Sequence, residues 1–259
     1  MIHLKTEEEI ELIRQSSLLV GKTLAEVAKV IKPGIRTIEL DRLAETFIRD
    51  NGGIPGFKGY NGFPYTLCIS VNEVVVHGFP SNREVKEGDI VSVDCGAVMN
   101  GFYGDSAYTF MIGEVDPSVR ALVEATKASL YEGIEKAVEG QRLGDIGAAI
   151  QSYVEERGYS VVRDLVGHGL GKHLHEAPEV PNYGRKGTGM KLQEGLVLAI
   201  EPTINLGGHR VVQERDGWTI RTSDRKPSAH FEHDVVIRKG RAEVLSTFDY
   251  IEEILKTKD

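Results

Sequence analysis

The chain is short of the residues that staple a fold or span a membrane. It has two cysteines, Cys68 and Cys95. Neither has a second Cys nearby, so a CxxC zinc site is excluded and no disulfide framework is implied. A reducing, cytoplasmic compartment is the expectation. No stretch approaches the ~18 apolar residues of a membrane span. No positively charged segment leads into an apolar run near the N-terminus, so no secretory signal is expected. Basic charge is also scarce: 31 Lys+Arg against 39 Asp+Glu give a formal net charge of −8. That balance argues against nucleic acid held by bulk charge. Arg238-Lys239-Gly240-Arg241 is a candidate basic patch, but it reads better as a solvated turn.

Glycine, in contrast, is plentiful, at 29 of 259 residues. The glycines follow no three-residue period, and 41% of the chain is hydrophobic, so collagen-like and disordered classes are both excluded. No low-complexity linker divides the chain, and residues 1–259 read as a single domain.

Thr6 and Glu9 form a capping box before a long amphipathic helix whose apolar face is Ile10, Ile13, Leu18, Val20, Leu24, Val27, Val30 and Ile31. Pro33-Gly34 ends it, and a second helix runs from about Ile38 to Asp50. Strands follow at Leu67–Val71, Glu73–Val76 and Asp89–Asp94, and Asn100-Gly101 turns the last into an arm reaching Met111. The order then restarts. Helices are predicted from Pro117 to about Val138 and from Leu143 to Arg157, and strands at about Leu196–Glu201, His209–Glu214, Trp218–Thr222, Ala229–Ile237 and Ala242–Ser246. Each half reads helix, helix, His-Gly, Glu-Gly, strand, with halves at about 6–112 and 117–246. Glu87–Asp94 aligns without gaps to Glu194–Glu201, and both strands end in a carboxylate. Duplicated halves commonly meet on a pseudo-twofold axis, where a site would draw one acid from each. The implied class is α+β, with helices covering a mainly antiparallel sheet.

Acids interrupt the apolar strands at Asp94, Asp105, Glu201 and Glu232. With a two-residue turn at Asn100-Gly101, paired residues sum to 201, so Gly96 opposes Asp105 and Ala107 opposes Asp94. Asp94 and Asp105 then share a face as diagonal neighbours ~7–8 Å apart at the backbone. Burying such acids without a counter-charge costs several kcal/mol each. One acid alone would mark nothing. Four on strands, with His168 in the glycine-rich Val166-Gly167-His168-Gly169-Leu170-Gly171, point to a metal site. An oxygen-rich set of this kind suits two carboxylate-bridged ions of Mn(II), Fe(II) or Co(II), and the reaction class implied is hydrolysis. His77 and His175 are candidates to orient substrate or stabilise charge. His3, His173, His209, His230 and His233 read as ordinary core or surface residues.

Ser70-Val71-Asn72-Glu73-Val74-Val75-Val76-His77-Gly78 resembles the substrate-side motif of type I methionine aminopeptidases. Gly104-Asp105-Ser106-Ala107, Gly167-His168-Gly169-Leu170-Gly171, His175-Glu176-Ala177-Pro178, Pro181-Asn182-Tyr183-Gly184, Ile200-Glu201-Pro202 and Phe231-Glu232-His233 are similar to the same family, in its order and spacing. The resemblance covers about residues 6–245. It implies the pita-bread fold, two pseudo-twofold αβ halves around a curved sheet. It also implies two divalent ions, of Fe(II), Mn(II) or Co(II), held by Asp94, Asp105, His168, Glu201 and Glu232. Asp105 and Glu232 would bridge them, and Glu201 would shuttle the proton of a metal-bridged water. His175 would stabilise the tetrahedral intermediate, and His77 would position the substrate near the leaving side. Tyr60, Phe63, Cys68, Leu174 and Trp218 would form the methionine pocket. The implied substrates are nascent polypeptide N-termini with a small second residue. A cytoplasmic monomer with transient ribosome association is implied, with no membrane and no direct nucleic-acid specificity.

Asp94 is followed here by Cys95-Gly96, where some members have Val-Thr, a departure that leaves the ligands intact. The 30 residues between Glu201 and Glu232 leave no room for the helical insertion of type II enzymes. Two rival readings stay in view. One is a proline-specific peptidase of the same fold, which carries a large N-terminal domain. The other is a non-catalytic binding protein that has lost its ligands.

Overall fold

A computed structural model describes residues 2–257. In the first half the order is α1 (Glu7–Val30), α2 (Thr37–Asp50), β1 (Ile54–Pro55), β2 (Leu67–Val71), β3 (Val74–Val76), β4 (Ile90–Met99) and β5 (Phe102–Met111). In the second half it is α3 (Pro117–Ile134), α4 (Leu143–Glu155), β6 (Ser160–Val161), β7 (Gly167–Gly169), β8 (Glu176–Val180), β9 (Val197–Ile200) and β10 (Thr203–Asn205). Then come β11 (Val211–Gln213), β12 (Ile220–Thr222), β13 (Ser228–His230), β14 (His233–Val236), β15 (Glu243–Val244) and α5 (Asp249–Lys256). This is an α+β architecture with antiparallel sheets. Among the described residues no helix is long and apolar enough to cross a membrane.

The capping box forms as read: Thr6 Oγ1 accepts the Glu9 N–H at 3.2 Å, and the Glu9 carboxylate accepts the Thr6 N–H at 3.1 Å. Glu7, Glu8 and Glu9 add negative charge where the helix dipole favours it. α1 lies across β4 and β5, burying Ile10, Ile13, Val20, Leu24 and Val27. Leu19 is buried rather than Leu18, because the helix faces two layers, the sheet and α5, and its apolar stripe is wider than one row. α3 ends at Ile134, four residues short of Val138, where a turn takes over.

The hairpin register is the expected one, with Asp94 opposite Ala107 and Gly96 opposite Asp105. Asn100 (φ 52°) and Gly101 (φ 79°) both take the left-handed conformation that a two-residue turn needs. The second half repeats this pairing. Gly88 N–H donates to Ile112 O at 2.8 Å and Ile112 N–H to Asp89 O at 2.9 Å. Gly195 N–H donates to Ile237 O at 3.0 Å and Ile237 N–H to Leu196 O at 2.8 Å. Asp94 and Glu201 are therefore equivalent positions, but only Glu201 is at a strand end: β9 stops at Ile200, whereas β4 runs on past Asp94 to Met99.

Two expectations change. The strand read from Ala229 to Ile237 is broken at Phe231-Glu232: β13 pairs with β10, while β14 pairs with β9. Pro202 sits at the matching break between β9 and β10 and has no N–H for a continuous ladder. Glu232 therefore occupies a bend between strands. The His-Gly correspondence of the halves also fails. Ser70 pairs with Ser92 and His168 with Ala199, so the equivalent of His168 is Ser70, and His77 lies on the loop after β3.

The Arg238–Arg241 run is a solvated turn whose charge is largely matched. Arg238 pairs with Glu7 and Glu243, and Lys239 with Glu194.

Gly104 meets the α1 backbone at Ser16 and Ser17 with no room for a Cβ. Gly104→Ala is expected to destabilise the fold by about 1–3 kcal/mol through forced displacement of α1. Urea denaturation checks this, and an unchanged midpoint would show that α1 moves freely.

Candidate metal centre

The two halves meet along β5 and the β13–β14 bend. Glu232 N–H donates to Ala107 O at 3.0 Å, Ser106 Oγ to Glu232 O at 2.7 Å, and Thr109 Oγ1 to His230 O at 2.7 Å. Into this seam the hairpin projects Asp94 and Asp105, the end of β9 projects Glu201, and the bend projects Glu232. All five residues expected to hold metal line one pocket, of about 230 Å³.

Asp105, His168 and Glu232 bring ligand atoms within 4.8 Å of one another. His168 Nε2 is 3.6 Å from Glu201 Oε1 and 4.0 Å from Asp105 Oδ2. The Nδ1 of His168 lies 2.9 Å from Gly169 O. A carbonyl can only accept, so Nδ1 carries the proton and Nε2 keeps its lone pair toward the acids. Burial lowers the His168 pKa to about 3, which keeps the ring neutral and able to ligate.

The acids are strained electrostatically. Burial raises Asp94 to about 7 against the opposing hydrogen bonds from Asp105 and the Cys95 N–H. Burial first, then the charges of its neighbours, holds Asp105 well above the usual carboxylate range, and the same holds for Glu201 and Glu232. Among the described residues, none donates a hydrogen bond to the buried Asp94 Oδ1, Asp105 Oδ1 or Glu232 Oε1. Oxygen-rich, desolvated and short of donors, the cluster fits divalent cations better than it fits itself.

The rest of the pocket is apolar. Tyr60, Phe63, Cys68, Leu174 and Trp218 all line it, as do His77 and His175. Phe63 packs edge-on against Trp218, with ring centroids 5.1 Å apart. Cys68 sits directly opposite Asp94 on β2, so the apolar wall begins where the acids end. His175 stands at the rim, with Nδ1 2.8 Å from the Tyr60 hydroxyl and its ring 4.3 Å from that of His168. Burial lowers the pKa of His175, and it lowers that of His77 as well. His77 holds a left-handed backbone (φ 57°), an uncommon conformation for a residue with a side chain, and lies 6.1 Å from the Trp218 ring.

Residues 11–239 match metallopeptidase family M24. The methionine aminopeptidase of Clostridium acetobutylicum is 52% identical over 247 residues, which cover 95% of this chain and 99% of that one. The chain belongs to metallopeptidase family M24, and within it to the methionine aminopeptidases. Methionine aminopeptidase structures from Rickettsia prowazekii and Thermotoga maritima superpose with TM-scores of 0.94 and 0.93, at 40% and 47% identity. Each match covers 95% of this chain and 100% of the other. The shared architecture is the pita-bread fold. The prolidase from Pyrococcus furiosus, 24% identical with a TM-score of 0.76, has the same fold, and this chain covers 65% of it.

The M24 chain also buries polar groups that sequence reading passed over. His230 reads as an ordinary residue, yet its Nε2 is buried without a hydrogen-bond partner among the described residues, 3.9 Å from Glu201 Oε2. His233 is the satisfied core histidine expected of such a position: Nδ1 is 2.7 Å from Ser246 Oγ, and the ring stacks on Phe248. Asp234 is a further buried acid. Its Oδ2 accepts the Asp105 N–H at 2.8 Å and the Ser17 hydroxyl at 2.7 Å, and burial raises its pKa to about 7. The apolar lining extends to Phe57, Val76, Leu165 and Val166. Leu165 and Val166 directly precede the Gly167-His168 motif, the one local signal that could have found them.

The pH dependence of the metal-free fold follows. Buried His168, His230 and His233, with pKa values near 3, favour stability as pH rises to about 6.5 and are neutral in both states above it. The buried acids have folded-state pKa values above the ~4 of an unfolded carboxyl, so the folded chain holds more protons than the unfolded one and loses stability as they ionise. In chelator, the urea midpoint is expected to fall as pH rises from about 6.5 through about 7, where Asp94 and Asp234 ionise in the folded chain. Mn(II) should flatten or reverse that slope, and a midpoint that rises in chelator would contradict the assignment.

Proposed function

We propose that the chain removes the N-terminal methionine from nascent proteins and peptides whose second residue is small. The observation that carries this reading is the pocket itself: an aromatic, sulfur-bearing wall at one end and a cluster of buried acids at the other. A thioether side chain suits the wall by polarisable contact with Tyr60, Phe63, Cys68, Leu174 and Trp218. The first peptide bond then lies beside the acids. Residues 1–259 act in this reading as one catalytic domain built of halves at about 6–112 and 117–246.

Asp94, Asp105, His168, Glu201 and Glu232 would hold two divalent ions. The chemistry supplied by such ions is Lewis acidity, which makes a water nucleophilic near neutral pH and polarises a carbonyl. Glu201 takes the proton from the attacking water and passes it to the leaving amine. With Nδ1 accepting from the Tyr60 hydroxyl, 2.8 Å away, His175 would carry its proton on Nε2 for the carbonyl oxygen as negative charge develops there. His77, neutral and fixed by its backbone, orients the substrate on the leaving side. The same reading expects a cytoplasmic, monomeric enzyme with transient ribosome contact.

Free methionine should appear from Met-Ala or Met-Gly peptides when Mn(II), Fe(II) or Co(II) is supplied, and not in chelator. No release with any of the three ions refutes the proposal. Release of the first residue from Xaa-Pro peptides instead would favour the proline-specific reading. Metal analysis of protein purified without added ions names the resident metal.

Glu201→Gln should fold normally and lose about 10²–10⁴-fold in kcat, the range expected for loss of a general acid–base. A near-normal kcat with bound metal would remove Glu201 from the role of proton carrier.

A further inference from the structure

Lys5 lies ahead of the first helix, outside every motif assigned above. Its side chain is 6% exposed. The ammonium is 2.6 Å from Glu176 Oε2, and the Glu176 side chain is itself only 13% exposed. Glu176 Oε1 in turn accepts the His173 N–H at 3.2 Å. The ion pair therefore closes the turn that carries Leu174 and His175.

Two glycines make room for Lys5. Its N–H donates to Gly195 O at 2.7 Å, and a Cβ on Gly195 would come within 2.9 Å of Lys5 O. A Cβ on Gly171 would come within 2.5 Å of Lys5 Cε. Gly195 opens the strand that ends at Glu201, and Gly171 follows the strand that bears His168. Three segments that supply His168, His175 and Glu201 thus meet on this one lysine. A surface lysine would pair loosely and cheaply. This one is desolvated, aimed and surrounded, which is the arrangement that fixes geometry.

We propose that Lys5 is a positioning residue for the reaction: through its buried pair with Glu176 it holds the 172–176 turn so that the His175 ring stays bonded to Tyr60 and directed into the pocket. The proposal rests on the reading of His175 given above. Leu174 stays packed in its buried apolar cluster with Phe63 and Cys68 when the turn loosens, so methionine binding is less affected than the placement of the group that acts on the developing charge.

In the metal-loaded enzyme, Lys5→Met is expected to lower kcat about 10–100-fold with little change in KM, the cost of a misplaced catalytic group. Lys5→Arg, which keeps the charge, should recover most of that loss. Glu176→Gln should reproduce the effect from the other side of the pair, and it serves as the second route if Lys5→Met fails to fold. The deciding measurement repeats these changes in a His175→Ala background, where they should cost less than about twofold because the residue they act through is gone. Equal losses in both backgrounds, or a change confined to KM, overturn the proposal. A normal kcat in His175→Ala alone overturns the reading of His175 instead, and the two failures are told apart.

Discussion

Carboxylates buried together repel, and the centre of this protein is organised around that repulsion. Asp94, Asp105, Glu201 and Glu232 line one pocket at the seam of the two halves, and each has its pKa driven upward by burial. Leaving such groups charged and unpaired costs several kcal/mol. A cation removes the cost, and the neutral nitrogen of His168, with its proton committed to Gly169 O, completes an environment suited to one. The surrounding fold keeps the acids close despite their repulsion. Hydrogen bonds across the seam tie β5 to the β13–β14 bend, and α1 covers the hairpin from outside, with Ser17 reaching the buried carboxylate of Asp234.

Much of this was legible because it was local. The Asn100-Gly101 turn sets a register, and the register alone puts Asp94 and Asp105 on one face. The Glu-Gly repeat identifies Asp94 and Glu201 as equivalent positions. What escaped was set by partners distant in the chain. The break at Phe231-Glu232 matches Pro202, which lies between two other strands, and Ala229–Ile237 reads as one strand on its own. His230 and Asp234 matter through Glu201, Asp105 and Ser17, none of them neighbours in sequence. The His-Gly correspondence failed for the same reason. A dipeptide recurs easily, whereas equivalence belongs to ladder register, and the ladder matches His168 with Ser70.

The pocket wall shows a similar division. Tyr60, Phe63, Cys68, Leu174 and Trp218 come from separate segments, and the resemblance to a known family brought them together on paper before their packing could be seen. Leu165 and Val166 join the same wall with nothing in their local pattern beyond proximity to a motif.

The ladder equivalences have one more consequence. The pairing that matches Asp94 to Glu201 also matches Asp105 to His230 and Ala107 to Glu232. Related positions have thus diverged in charge: an acid against an imidazole, a methyl group against an acid. A peptide has a direction, and a cleft with perfect twofold symmetry would accept it equally well either way round. By letting the paired positions differ, the duplicated scaffold gains a head and a tail, and a chain entering the cleft meets a different chemical face at each end.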